Sequence, residues 1–265
     1  MEQQTIEVLW NTRLAASYYK IGLRAPDSFL TAIPGQFIML RLSDQMDPLL
    51  RRPFSIHQLN IRDDVFKGIE LLYKVVGAGT QKLAQLHSGD RVDILGPLGN
   101  GFTIAEHVQR VFIVAGGIGV APMPFLISRL LDKSIDRSQC KVFIGGKSKA
   151  DLLCSDDFSK LDISLRTTTD DGSFGDQCLV TDPVEIEISG SKPDVIYACG
   201  PMQMLSCVAG IAEKHGIECQ VSIETMMACG MGACLGCAVE SRKEPDRYLH
   251  ACLNGPVFDA NLLNI

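Results

Sequence analysis

RVFIVAGGIGVAPMPFLISRLL, residues 110–131, decides how the rest of the chain divides. Between Arg110 and Arg129 it carries no charge over eighteen residues, which approaches the length of a membrane span. Gly116, Gly117, Gly119, Pro122 and Pro124 interrupt it, so it reads instead as an apolar strand, a glycine turn and a helix with Pro122 near its first turn. The same rhythm returns in KVFIGGKS (141–148), ISLRTTTDDGSFGD (163–176) and DVIYACGPMQMLSCVAGIAEKHG (194–216). Strands that alternate with turns or helices in this way predict a parallel α/β sheet. Ligands on such sheets bind at the C-terminal strand ends, a rim holding Gly116, Gly117 and Gly119, Asp170 to Gly172, and Cys199, Gly200 and Pro201. GGIG lacks the full G-x-G-x-x-G dinucleotide fingerprint, so a glycine turn that merely packs stays open beside a nucleotide turn.

Upstream the period is different. IEVLWNTRLAASYYKIGLRAP (6–26), GQFIMLRLS (35–43), FSIHQLN (54–60), IELLYKVVG (69–77) and DRVDILGP (90–97) are short apolar runs separated by turn residues, and they predict an antiparallel β-barrel. LLRRPFSI (49–56) sets two arginines and a proline against an apolar strand. Arg52 has the fork of donors that grips a diphosphate, Phe54 can pack on an aromatic ring, and Ser55 can hydrogen-bond a ring nitrogen. The other reading is a strand entry with a solvated arginine. In YKVVGAGTQKLAQL (73–86), Gly77, Gly79 and Thr80 precede a helix. This is either a second phosphate contact or an ordinary cap made by Thr80. GPLGNGF (96–102) closes the barrel region.

The third region is MACGMGACLGCAVE (227–240). Cys229, Cys234, Cys237 and Cys252 stand at C-x4-C-x2-C-x14-C, the spacing of plant-type [2Fe–2S] centres. Gly230, Gly232 and Gly236 let the backbone wrap closely and turn N–H groups toward sulfur. Zinc is the rival, but zinc sites pair one C-x2-C with another or with histidines, and only one x2 spacing occurs here. The other six cysteines lack ligand spacing and read as small core residues. His57, His87, His107, His215 and His250 likewise show none.

The chain has 265 residues, 46% of them hydrophobic, enough to bury sizeable cores. A net charge of −6 without a basic cluster argues against nucleic-acid binding. The opening MEQQTIEVLWNTR has no signal-peptide pattern, which predicts a cytoplasmic protein and thiols kept for metal or redox chemistry. No repeat or low-complexity segment appears.

In this order LLRRPFSI, GAGT, GPLGNGF, GGIGVAP, TTDDGSFG, CGP, CGMGACLGC and CLNGPVF resemble the ferredoxin-reductase superfamily. Within it the chain is similar to the electron-transfer subunits of the NAD-dependent, heterotetrameric dihydroorotate dehydrogenases. The resemblance implies a multi-domain β plus α/β fold: an FAD-binding barrel over 1–103, an NAD-binding α/β domain over 104–221 and a [2Fe–2S] domain over 222–265. It implies that Arg52, Pro53, Phe54 and Ser55 contact FAD, that Leu72, Tyr73 and Lys74 line its site, and that Gly79 and Thr80 hold its diphosphate. Gly116, Gly117, Gly119, Cys199, Gly200 and Pro201 become the nicotinamide side, with Ser55 and Cys199 as catalytic side chains. Cys229, Cys234, Cys237 and Cys252 become the cluster ligands.

The implied partner is an FMN-containing dihydroorotate dehydrogenase catalytic subunit, two copies of each chain forming the assembly, in pyrimidine biosynthesis. The three cofactor regions account for the sequence and leave no segment for FMN and dihydroorotate. One departure is Met226, where many members carry arginine. NAD is implied over NADP, although Lys147 and Lys149 could meet a 2′-phosphate. VFDANLLNI (257–265) reads either as part of a docking surface or as a packed tail. Two alternatives share the cofactors: an NAD(P)H–ferredoxin or hydrogenase-linked reductase subunit, and a redox-sensing module that catalyses nothing.

Overall fold

The computed structural model describes residues 1–42, 49–244 and 246–265. Among these, seven strands form the first sheet: β1 (Glu2–Arg13), β2 (Tyr18–Leu23), β3 (Phe37–Arg41), β4 (Arg52–Ser55), β5 (Gln58–Arg62), β6 (Val65–Lys74) and β7 (Arg91–Leu98). Their order is β4-β3-β7-β1-β2-β6-β5, antiparallel throughout. The two edge strands, β4 and β5, are separated in sequence only by Ile56 and His57. Ile56 N–H donates to Gln36 O before β3, and His57 N–H donates to Glu70 O on β6. The sheet therefore curls round as the antiparallel barrel its alternating runs predict, with β4 and β5 joined through these two residues. The run 6–26 is a hairpin and not one strand, because Leu14 to Ser17 turn the chain between β1 and β2. Ser43, the last residue of the strand predicted over 35–43, lies outside the described residues. A short helix, α1 (Ala78–Leu83), follows β6.

The second sheet runs β10-β9-β8-β11-β12-β15. β8 (Val111–Gly116), β9 (Cys140–Gly146), β10 (Ser164–Thr169), β11 (Val195–Cys199) and β12 (Glu218–Ser222) are parallel. β8 and β11 are central and read as continuous apolar runs because both faces are covered. Side chains alternate between the faces. Val111, Ile113 and Ala115, with Val195, Tyr197 and Cys199, join α2 (Met123–Asp132) on one side. Phe112 and Val114, with Ile196 and Ala198, meet α4 (Thr181–Gly190) and α5 (Met202–His215) on the other. A further short helix, α3 (Ser155–Lys160), packs Phe158 into the first of these cores.

The C-terminal region forms the hairpin β13 (Ala238–Glu240) and β14 (Tyr248–His250), then returns as β15 (Val257–Asp259) antiparallel to β12. Val257, Phe258, Ala260 and Leu263 are buried, as the packed-tail reading of this segment expects. Among the described residues no helix is long and apolar enough to cross a membrane.

A candidate flavin, nicotinamide and iron–sulfur site

Where the barrel meets the parallel sheet lies a cavity of about 320 Å³, within the size range of ligand pockets. Arg52, Pro53, Phe54 and Ser55 of β4, Leu72, Tyr73 and Lys74 of β6, and Thr80 line it from the barrel side. Cys199 at the end of β11 and Ile118, Ala121 and Pro122 after β8 line it from the other. Of the residues assigned to the nicotinamide by resemblance, Cys199 lines this space together with the flavin-side residues, whereas Gly116, Gly117, Gly119, Gly200 and Pro201 are not among its lining.

The two arginines of LLRRPFSI part company. Arg51 turns toward β7, where its Nη2 stands 2.6 Å from Asp93 Oδ2, beside Arg41 Nη2 at 3.0 Å. Arg52 turns the opposite way, as alternation along β4 requires. Its Nη1 donates to Leu50 O, and its Nε lies 2.7 Å from where a Cβ on Gly79 would be. Gly79 thus lets the guanidinium lie against the start of α1. Thr80 acts as a cap: its Oγ1 accepts from the N–H groups of Val76 and Gly77 at 2.9 and 3.1 Å. These side chains suit a flavin dinucleotide, and one feature goes beyond lining. Thr225 Oγ1 is buried at the cavity wall with no hydrogen-bond partner among the described residues, an orphan that a ligand's polar edge would satisfy.

The glycine rim at the strand ends is built by close backbone approach. A Cβ on Gly119 would stand 2.2 Å from Cys199 O, and one on Gly200 would stand 3.0 Å from Gly116 N. Gly117 needs its left-handed φ of +53°. Pro201 is exposed ahead of α5. Burial, with Glu224 nearby, pushes the Cys199 thiol up to about 12, so it lines the cavity as a neutral S–H. Asp170 and Asp171 N–H groups donate to Gly146 O and Lys147 O, tying the acidic turn to the rim. Lys149 lies over the Phe174 ring at 5.2 Å. Gly119→Ala is expected to force the β8 and β11 turns apart, destabilising the fold by about 1–3 kcal/mol. A lower melting temperature together with slowed flavin bleaching by NADH would show it.

The cysteine loop starts at this cavity. Met227 lines it two residues before Cys229. Gly230 and Gly232 have φ of +71° and +83°, and each gives room to a neighbour: added Cβ atoms would meet Met39 Cγ on β3 and Leu253 Cδ1, both at 2.3 Å. Met39 pairs with Pro53 of β4, so the loop is seated one strand away from the RPFS segment. N–H groups of Met231 and Cys234 reach Cys229 Sγ, each at 3.4 Å. Burial would raise this thiol, but these donors and that of Ala233 outweigh it and lower it.

Cys237 and Cys252 are buried with their sulfurs 3.2 Å apart. Burial and the neighbouring Cys237 push Cys252 up, since two thiolates this close need a cation between them. Two thiolates on one tetrahedral centre with bonds of about 2.3 Å stand roughly 3.8 Å apart. The pair needs to open by only about half an ångström to hold one iron. Among the described residues no three His, Cys, Asp or Glu side chains converge on a single-ion site. The N–H donors aimed at Cys229 and the paired sulfurs of Cys237 and Cys252 suit the [2Fe–2S] centre that the cysteine spacing predicts. Met226 is 90% exposed. A charge at this position would therefore be solvated.

Sequence reading missed Glu224, Thr225 and Met227 on the cavity wall, and His57. Only the alternation of IECQVS before them hinted at the strand, β12, that delivers the first three. His57 is fully buried, and its Nδ1 lies 2.6 Å from Ala121 O. Burial lowers its pKa to about 3, so it is a neutral imidazole that donates through Nδ1–H.

A barrel with a dinucleotide cradle, a parallel sheet with a glycine rim and a four-cysteine loop together define a ferredoxin-reductase-type flavin and iron–sulfur oxidoreductase. The comparisons agree region by region. Residues 4–102 match the oxidoreductase FAD-binding domain, 113–210 the oxidoreductase NAD-binding domain, and 224–264 the iron–sulfur cluster binding domain of dihydroorotate dehydrogenase B. The dihydroorotate dehydrogenase B (NAD(+)) electron transfer subunit of Desulforamulus reducens is 38% identical over 92% of both chains. That of Clostridium acetobutylicum is 37% identical over 97% of this chain and 96% of its own. The chain belongs to this family of electron transfer subunits. In fold it is similar to a NADH-dependent reduced ferredoxin–NADP oxidoreductase studied for flavin-based electron bifurcation, with a TM-score of 0.84 and 26% identity over 98% of this chain and 89% of that one. A ferredoxin–NADP+ reductase from Neisseria gonorrhoeae, 14% identical with a TM-score of 0.68 over 82% and 92%, shares the fold alone.

Proposed function

We propose that this chain passes electrons between NAD and the catalytic subunit of a dihydroorotate dehydrogenase, serving pyrimidine biosynthesis in the cytoplasm. The observation that carries the reading is the shared cavity: Arg52 to Ser55 and Leu72 to Lys74 of the barrel, Cys199 at the end of β11 and Met227 ahead of the cysteine loop line one space of about 320 Å³. Bound FAD supplies the exchange between a two-electron hydride donor and a one-electron iron–sulfur carrier.

The chain's residues do the placing. Arg52, with Gly79 and Thr80, holds the diphosphate, and Pro53, Phe54, Leu72, Tyr73 and Lys74 form the walls around the ring. Ser55 and Thr225 offer hydroxyls to its polar edge. Gly116, Gly117, Gly119, Gly200 and Pro201 admit the nicotinamide dinucleotide, and Cys199, as a neutral thiol, shapes the wall where the rings meet without adding charge. Holding two reactants in one dry cleft is the main catalytic contribution, so no acid–base pair is needed. Cys229, Cys234, Cys237 and Cys252 hold the cluster. The domains divide at 1–103, 104–221 and 222–265, although β15 returns from the third to the sheet of the second.

The catalytic partner carries FMN, and two copies of each chain form the assembly. Its docking face is the exposed apolar surface around the cysteine loop, Met226, Met231, Leu235 and Leu253. The isolated chain is expected to oxidise NADH with an artificial acceptor and to leave dihydroorotate untouched. Adding the FMN-containing subunit from the same source is expected to create dihydroorotate-dependent NAD reduction. Dihydroorotate oxidation by the isolated chain would refute this division of labour.

A further inference from the structure

Three side chains from both lobes meet beside the cavity. Tyr18 on β2 is 2% exposed, and its hydroxyl donates to Asp151 Oδ1 at 2.5 Å. Asp151 follows β9 in the parallel-sheet lobe. Its other oxygen, Oδ2, accepts from Ser148 N–H at 3.2 Å and Ser148 Oγ–H at 3.3 Å. Lys74, at the end of β6 and on the cavity wall, has Nζ 3.5 Å from Asp151 Oδ1 and 4.8 Å from the centre of the Tyr18 ring. One carboxylate thus joins two barrel strands to the lobe that carries the glycine rim. On the same boundary His57 of the barrel donates to Ala121 O, whose residue also lines the cavity.

We propose that Asp151 is a positioning residue that clasps the nicotinamide lobe to the flavin barrel through Tyr18 and Lys74, and so sets the reach between the two reacting rings. The proposal rests on the reading that NADH reduces a flavin held in this cavity. The clasp's chemistry suits a permanent tie. Burial works against the Asp151 charge, but the Tyr18 hydroxyl, Lys74 and Ser148 outweigh it and hold the carboxyl below the usual range. Burial and Asp151 push the Tyr18 phenol up, which keeps its proton in place. The clasp touches the lobe that brings the nicotinamide and lies apart from Arg52 and Gly79, which grip the dinucleotide. Its loss therefore bears first on the approach of the rings, while the diphosphate grip of Arg52 and Gly79, which retains the flavin, is left in place. A misplacement of about 1 Å costs on the order of a hundredfold in rate, so partial loosening is expected to cost roughly tenfold.

The test uses the full chain loaded with FAD and cluster, mixed anaerobically with NADH in a stopped-flow instrument. Tyr18→Phe removes only the hydroxyl, Asp151→Asn keeps an oxygen for Tyr18 but loses the Lys74 ion pair, and Asp151→Ala loses both. Asp151→Ala is expected to lower the limiting rate of flavin bleaching about tenfold and to weaken the nicotinamide–flavin charge-transfer absorbance. FAD retention, iron absorbance and melting temperature should stay near wild type, with Tyr18→Phe and Asp151→Asn between the two. A limiting rate and charge-transfer band in Asp151→Ala equal to wild type would overturn the clasp alone. So would a rate loss matched by loss of FAD in the isosteric Tyr18→Phe, which marks a fold defect. Wild-type flavin that NADH does not bleach would overturn the reading of the cavity, and the clasp with it.

Discussion

Cys252→Ala is expected to strip the chain of iron and labile sulfide while leaving FAD bound and NADH–dye activity largely intact. Wild-type protein purified without oxygen should carry two irons and two sulfides per chain, since four cysteines at this spacing serve a [2Fe–2S] centre. Cys252 and Cys237 are buried together between the cysteine loop and the core, their sulfurs 3.2 Å apart. With one of them gone, the remaining thiol cannot complete the site. The flavin cradle, by contrast, is built by β4, β6 and α1 and owes nothing to Cys252. Electrons should therefore still reach a soluble dye from NADH but no longer reach the catalytic partner subunit. Dihydroorotate-dependent NAD reduction in the reconstituted pair is expected to vanish. Zinc in place of iron in the wild-type protein would overturn the cluster. Reconstituted activity that survives Cys252→Ala would instead show that electrons cross between this chain and its partner subunit by another path.

Much of this architecture could be read before any coordinates, for reasons that differ along the chain. The parallel sheet was legible because β8 and β11, covered on both faces, must be apolar at every position, and each ends in a glycine turn that side chains would obstruct. The cysteine loop was legible because sulfur ligation fixes spacing within a single short segment. The barrel was legible in its alternating runs, but not the joint between its edge strands, which depends on Ile56 and His57 bonding to Gln36 and Glu70, residues distant in sequence. The edge strand β15 was hidden for a similar reason, since VFDANLL has the same apolar content whether it docks on a partner or pairs with β12.

The site shows the same split. Arg51 and Arg52 are indistinguishable as letters, and only β4's pleat sends one to Asp93 and the other to Gly79. Thr80, which could cap a turn or hold a phosphate, caps the backbone of Val76 and Gly77 through its hydroxyl. Its N–H stays part of the first turn of α1, where helix donors lack partners within the helix. Tyr18 and Asp151 carry no motif at all, because a contact between lobes 133 positions apart leaves no local spacing to recognise.

Arg52→Ala is expected to weaken FAD retention by one to two decades. The guanidinium is half-buried, placed beside the glycine turn of α1, with its Nε lying where a Gly79 side chain would otherwise be. A hydrogen bond to a charged group contributes about 1.5–3 kcal/mol, which is roughly ten- to a hundredfold in affinity. Arg52→Lys should recover little of this, because a single ammonium cannot present the paired donors that a diphosphate accepts. Gly79→Ala supplies an independent check: the new methyl would displace Arg52 without altering its charge, so flavin should again be lost more readily. Pro53, Phe54 and Ser55 stay in place in both variants, and the cluster absorbance should be unchanged. Flavin content measured after dialysis, against wild type, decides the matter. Full occupancy in Arg52→Ala would mean that the diphosphate is held elsewhere, and that the arginine serves only to anchor the Leu50 backbone it already reaches.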